Sequence, residues 1–165
     1  AKLFGKVRDA VTSRSVLSLD MAATGLVGVR AMYSPALDFF AIRDAGSFDM
    51  GKRAVVVHEA VHAGMDIGKH GGNLLLHEAV GHVAEAMRLA LALPDPRSVD
   101  VAAIPQAHAR AAMRLAQRVI NNNLTRTTPL TIATTDGEYL ALREALRAIP
   151  EYGSRAGTEF GSNGI

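Results

Sequence analysis

Apolar positions recur along this chain at two different spacings. Between residues 3 and 13, Leu3, Phe4, Val7 and Val11 fall three or four apart at most steps, the period of an amphipathic helix. Residues 26–33 (LVGVRAMY) and 37–42 (LDFFAI) are short apolar runs separated by Ser34-Pro35-Ala36. That order predicts a hairpin, with Pro35 in the turn, where its missing N–H costs nothing. The stretch 50–68 is too long for a strand and follows Asp49, an N-cap residue, so it predicts a helix. Gly68-Lys69-His70-Gly71-Gly72 breaks it. Asn73 is placed to cap a second helix over 74–92, stopped by Pro94-Asp95-Pro96. A third helix is expected over 104–121, from Pro105 to Asn121-Asn122-Asn123. Leu130-Thr131-Ile132-Ala133 reads as a short strand, and Asp136 as the cap of a last helix over 137–148 that Pro150 ends. The Gly- and Ser-rich residues 153–165 read as a flexible tail. The pattern predicts a mainly α, α+β fold: one domain over 1–165, with a small β-hairpin or sheet and about four to five helices.

Composition narrows this picture. The 165 residues are 48% hydrophobic and only 5% aromatic, which favours tightly packed helices over an aromatic-rich β-sandwich. A net charge of +2 with scattered Lys and Arg forms no basic patch, so no nucleic-acid partner is expected. No segment reaches the ~18 uninterrupted apolar residues of a membrane span. The absence of cysteine excludes disulfides and thiolate metal sites, so any metal must be held by His and carboxylates. Ala at position 1 fits a piece of a longer polypeptide, and the expected setting is cytoplasmic or delivered as part of a larger secreted protein.

Chemistry concentrates in His58-Glu59-Ala60-Val61-His62, an HExxH motif inside the predicted helix 50–68. Residues four apart share a helix face, so two imidazoles can grip one metal ion. Glu59 projects about 100° round the helix, within reach of a metal-bound water. Asp66 extends the stripe by another turn and is suited to accept the spare N–H of a ligand histidine or of a neighbouring group. A catalytic zinc takes three protein ligands and keeps one open position. Six residues after His62 stands Gly68, so the third ligand must come from elsewhere. Glu78 and His77 compete for that role one turn into the next helix, and His82, four residues after Glu78, can support Glu78 or face substrate.

Residues 58–66, HEAVHAGMD, resemble the HExxHxxxD signature of thermolysin-like gluzincins, members of the zincin metallopeptidases. That resemblance implies Glu78 as the third zinc ligand, since those enzymes take a Glu from the following helix. They carry an acidic residue four positions later, where this chain has His82. A looser similarity, over residues 26–92, is to small bacterial HExxH domains of toxin or effector type. The function implied is a zinc metallopeptidase with one Zn2+ per chain, held by His58, His62 and Glu78. Glu59 would act as general base on a peptide or related amide substrate. Tyr139, His108 and His82 are the candidate donors to the developing oxyanion. Two alternatives stand beside this reading: an effector or toxin domain using the same site, and a zincin-like domain that binds metal or a partner without catalysis.

Overall fold

The computed structural model describes residues 2–13, 15, 17–20, 30–43, 49–125 and 130–160. In chain order the elements are α1 (Lys2–Thr12), β1 (Leu17–Asp20), β2 (Ala31–Ser34), β3 (Phe39–Ile42), α2 (Met50–Ile67), β4 (Gly72–Asn73), α3 (Leu74–Ala90), a 3-10 turn (Val101–Ala103), α4 (Ala107–Thr125), α5 (Gly137–Arg147), α6 (Pro150–Gly153) and β5 (Glu159–Phe160). The fold is α+β and mainly α, with six α-helices among the described residues. The chain forms two compact units: residues 1–72 with 159–165, and residues 73–158.

In the first unit, β2 and β3 form the expected antiparallel hairpin, with Ala31 opposite Ile42 and Tyr33 opposite Phe40. The first strand starts later than its apolar run suggests. It occupies Ala31–Ser34, while residues 26–29 lie outside the described residues. Asp38 takes a left-handed φ of 48° in the turn, a conformation Asp tolerates better than most residues. A third strand was not anticipated: β1 adds parallel to β3, giving the order β1-β3-β2 and leaving β2 at an edge. Leu17-Ser18-Leu19-Asp20 alternates apolar and polar residues, but four residues are a weak signal by themselves, and pairing with β3 decides their conformation. Helix α1 packs on α2, and Val7, Tyr33, Phe40 and Ala63 form the buried centre of this unit.

Helix α2 begins as expected, with the Asp49 carboxylate accepting from Lys52 N–H at 2.7 Å. Its end is a Schellman arrangement: His70 N–H donates to the Met65 carbonyl and Lys69 N–H to the Asp66 carbonyl, both at 2.8 Å. The left-handed residue is Lys69 (φ 53°) rather than a glycine. A Cβ at Gly68 would stand 2.6 Å from the exposed His70 ring, which must turn aside to admit it, and 3.0 Å from the Gly64 carbonyl oxygen.

In the second unit, Asn73 caps α3 by accepting from Leu76 N–H at 3.0 Å. The helix ends at Ala90, ahead of the proline pair that was expected to stop it. Helix α4 starts at Ala107 and runs through the three asparagines to Thr125. Residues 130–133 form no strand; among the described residues no strand pairs with the segment, which is irregular, and Ile132 packs on the helical core. Asp136 caps α5 as predicted. Pro150 does not simply end that helix but opens the short α6, where a first-turn proline sacrifices no hydrogen bond. Thr158 C=O accepts from Leu74 N–H at 3.0 Å. Leu75, Leu115, Leu142 and Leu146 are fully buried and centre the α3–α4–α5 core. Among the described residues, no helix is long and apolar enough to cross a membrane.

Candidate metal centre

The HExxH motif lies on α2, as its spacing predicts, and His58, His62 and Asp66 are all buried on that helix. The two imidazole rings stand 4.9 Å apart between centres, at 66° to each other. Two histidines that share one tetrahedral ion through Zn–N bonds of about 2.0–2.1 Å place their ring centres roughly 5 Å apart. The pair therefore already has the separation a single zinc ion requires. With a carboxylate as third ligand the donor set is that of a hydrolytic zinc site.

Two further groups of the first unit are fixed by one residue that the sequence reading did not single out. The backbone N–H of Tyr33 donates to Glu59 Oε2 at 2.8 Å, and the Tyr33 hydroxyl donates to Asp66 Oδ2 at 2.7 Å. Burial, and after it the hydrogen bond to Asp66, push the Tyr33 pKa far above its ordinary value. The phenol thus keeps its proton and remains a donor. Asp66 is only 2% exposed, and a carboxylate so enclosed needs donors. The geometry also orients the strand. Arg30 C=O accepts from Arg43 N–H at 2.9 Å on the β3 side, so the alternation of a strand turns the amides of Ala31 and Tyr33 to the outer edge. No local pattern in the sequence links position 33 to 59 or 66. The only available signal was that a buried tyrosine and a buried aspartate each need a partner.

In the second unit, His77 and Glu78 are buried in the first turns of α3. At about 100° per residue, Glu78, His82, Glu85 and Leu89 form one stripe, and His77 projects to the side of it. His82 Nδ1 lies 3.2 Å from Glu85 Oε2, which holds the ring in a set orientation. The His82 ring also meets His108 of α4 at 5.0 Å and Tyr152 of α6 at 6.3 Å between centres. Tyr139 sits differently. It is buried and lines an apolar cavity of about 280 Å³ with Leu76, Val80 and Val83, on the side of α3 opposite Glu78. That cavity opens on a different face of α3 from the Glu78 stripe, whereas His82 lies on that stripe and packs on His108.

Burial, and secondarily the neighbouring His82, lower the His108 pKa below its ordinary 6.5, while Glu85 opposes the shift. The folded state therefore disfavours the imidazolium. The associated stability is fully present above the unfolded pKa of about 6.5 and is lost as pH falls toward the lower folded value. In metal-stripped protein, the urea midpoint should drop as pH is lowered below about 6.5. His108→Asn should shallow that drop, and a pH profile unchanged by the substitution would exclude His108 as its source.

Comparison of the chain with protein-family models, with curated proteins and with solved structures finds no match.

Proposed function

We propose that this chain is a zinc-dependent hydrolase that cleaves a peptide or related amide bond. One zinc ion per chain is held by His58, His62 and Glu78, and Glu59 is the general base. The observation that carries the reading is the pair of buried imidazoles on α2, 4.9 Å apart. Beside it stands Glu59, held by the Tyr33 amide. Glu78 enters as third ligand through the gluzincin resemblance. Its place on the same α3 stripe as His82 and Glu85, to the side of which His77 projects, supports it over His77.

Zinc, when bound at such a site, lowers the pKa of a water ligand to about 7 and polarises a carbonyl group. The residues of the chain supply the rest. Glu59 takes a proton from the attacking water at its carboxylate and passes it to the departing nitrogen. Tyr33 N–H keeps that carboxylate in one place. Asp66, anchored by the Tyr33 hydroxyl, supports the histidine stripe from one turn beyond His62. His82, oriented by Glu85, donates to the carbonyl oxygen as negative charge builds on it.

Elemental analysis and proteolysis assays test this reading. The purified chain should bind one zinc, cleave an unfolded protein such as reduced casein, lose activity to a chelator and regain it with added zinc. His58→Ala and Glu78→Gln should each weaken zinc binding by more than the ~10–100-fold expected of a merely supporting residue. A chain that takes up no zinc overturns the reading, and full zinc affinity in Glu78→Gln removes Glu78 from the ligand set.

A further inference from the structure

Helices α3, α4 and α5 and the irregular segment before α5 line a cavity of about 280 Å³ that takes no part in the hydrolysis proposed above. It lies wholly within the second unit. Leu115 and Ala79, 1% and 2% exposed, form its floor. Val80 and Thr134, both exposed, stand at its mouth. Apart from Thr134 and Tyr139 its lining is aliphatic, and none of the described residues that line it is charged. Tyr139 sets the site apart from a plain apolar hollow. Only 9% of this residue is exposed, yet its hydroxyl makes no hydrogen bond to any described residue. The hydroxyl oxygen is nevertheless not sealed off from solvent, and the cavity is the open space that Tyr139 borders. The hydroxyl of a buried tyrosine ordinarily finds a partner. Here the partner must come from whatever enters the cavity.

We propose that this cavity is a binding site, separate from the metal centre, for a small uncharged molecule with an apolar body and one hydrogen-bonding group. Its volume sets the size of the ligand. An apolar cavity of roughly 150 Å³ holds a benzene ring, so one of about 280 Å³ holds a bicyclic ring or a chain of similar bulk. Its walls set the polarity. Aliphatic walls favour an apolar body in proportion to the area it removes from water. A charged ligand would give up its hydration and meet no counter-charge among the described lining residues. A wholly apolar ligand would shut the Tyr139 hydroxyl away from water without a partner, at the cost of its desolvation. A hydroxyl or carbonyl on the ligand, set beside Tyr139, removes that cost. Small-molecule sites are commonly built in this way, from apolar walls and a few placed polar groups. The proposal does not rest on the zinc reading, because no residue of the cavity belongs to the proposed ligand set.

Fluorescence titration of the full chain with three naphthyl compounds tests it, and the lack of tryptophan leaves their emission unobscured. A chelator is present throughout, so that no carboxylate binds through a metal ion. 2-Naphthylmethanol should bind once per chain. Naphthalene, which lacks the hydroxyl, should bind about 2–10-fold more weakly, the net worth of one hydrogen bond. 2-Naphthoate has nearly the same shape but carries a charge, and it should bind at least about tenfold more weakly than the alcohol. Tyr139→Phe should erase the difference between the alcohol and the hydrocarbon. Val80→Phe fills the mouth from α3 and should weaken binding of the alcohol at least about tenfold. Thr134→Phe does so from the segment before α5 and carries the same test if the first filling variant does not fold. No binding of 2-naphthylmethanol to the wild-type chain overturns the site, as does binding that the filling variants leave intact. Equal affinity for 2-naphthoate, or a preference for the alcohol that survives Tyr139→Phe, overturns the class of ligand assigned to it.

Discussion

Glu59→Gln should lower the rate of amide hydrolysis by about 10²–10⁴-fold, the contribution of a positioned general base, while one zinc per chain is retained. The substitution suits the question because it changes charge and little else. The amide oxygen of glutamine can still accept from the Tyr33 N–H that now donates to Glu59 at 2.8 Å, so the link between β2 and α2 survives. Zinc affinity should hold because Glu59 is not a ligand in this scheme. Thermal unfolding, zinc content and turnover measured on one preparation separate the possibilities. Unchanged turnover would remove Glu59 as the base; lost zinc would mean that the residue supports the metal rather than the water.

Tyr33→Phe should weaken zinc binding by about 10–100-fold without touching a ligand, the effect of removing support from the group behind one. It should also cost about 1–3 kcal/mol of stability, because Asp66 loses a donor in a buried position. The backbone N–H remains, so the anchoring of Glu59 is preserved. The variant therefore separates the two bonds that Tyr33 makes. Zinc competition against a chelator and urea unfolding of the metal-free chain read the two effects independently. Wild-type values in both would exclude the Tyr33–Asp66 bond from any role in the metal centre.

The parts of the centre visible in the sequence are those set by helix periodicity. His58, His62 and Asp66 are four residues apart, and a spacing of four on one helix is a statement about space. Asp49, Asn73 and Asp136 were legible as caps for the same reason, since a cap acts on amides two or three residues away. Strand limits were less legible. Residues 17–20 become a strand because β3 is there to pair with, and residues 130–133 have no such partner among the described residues. Pro150 shows the same ambiguity at a single residue, since proline fits the first turn of a helix as well as the end of one.

By itself the sequence determined the mainly helical class, the caps, and a two-histidine stripe with its adjacent glutamate, all consequences of contacts within a few residues. Only the tertiary structure decided that Tyr33, from a strand edge, holds both Glu59 and Asp66. It alone set His82 against His108 and opened a cavity on another face of α3, with Tyr139 in its wall. These relations join residues from different elements, in each case more than ten positions apart. Their geometry depends on how sheets and helices pack, and packing is not encoded in any local spacing.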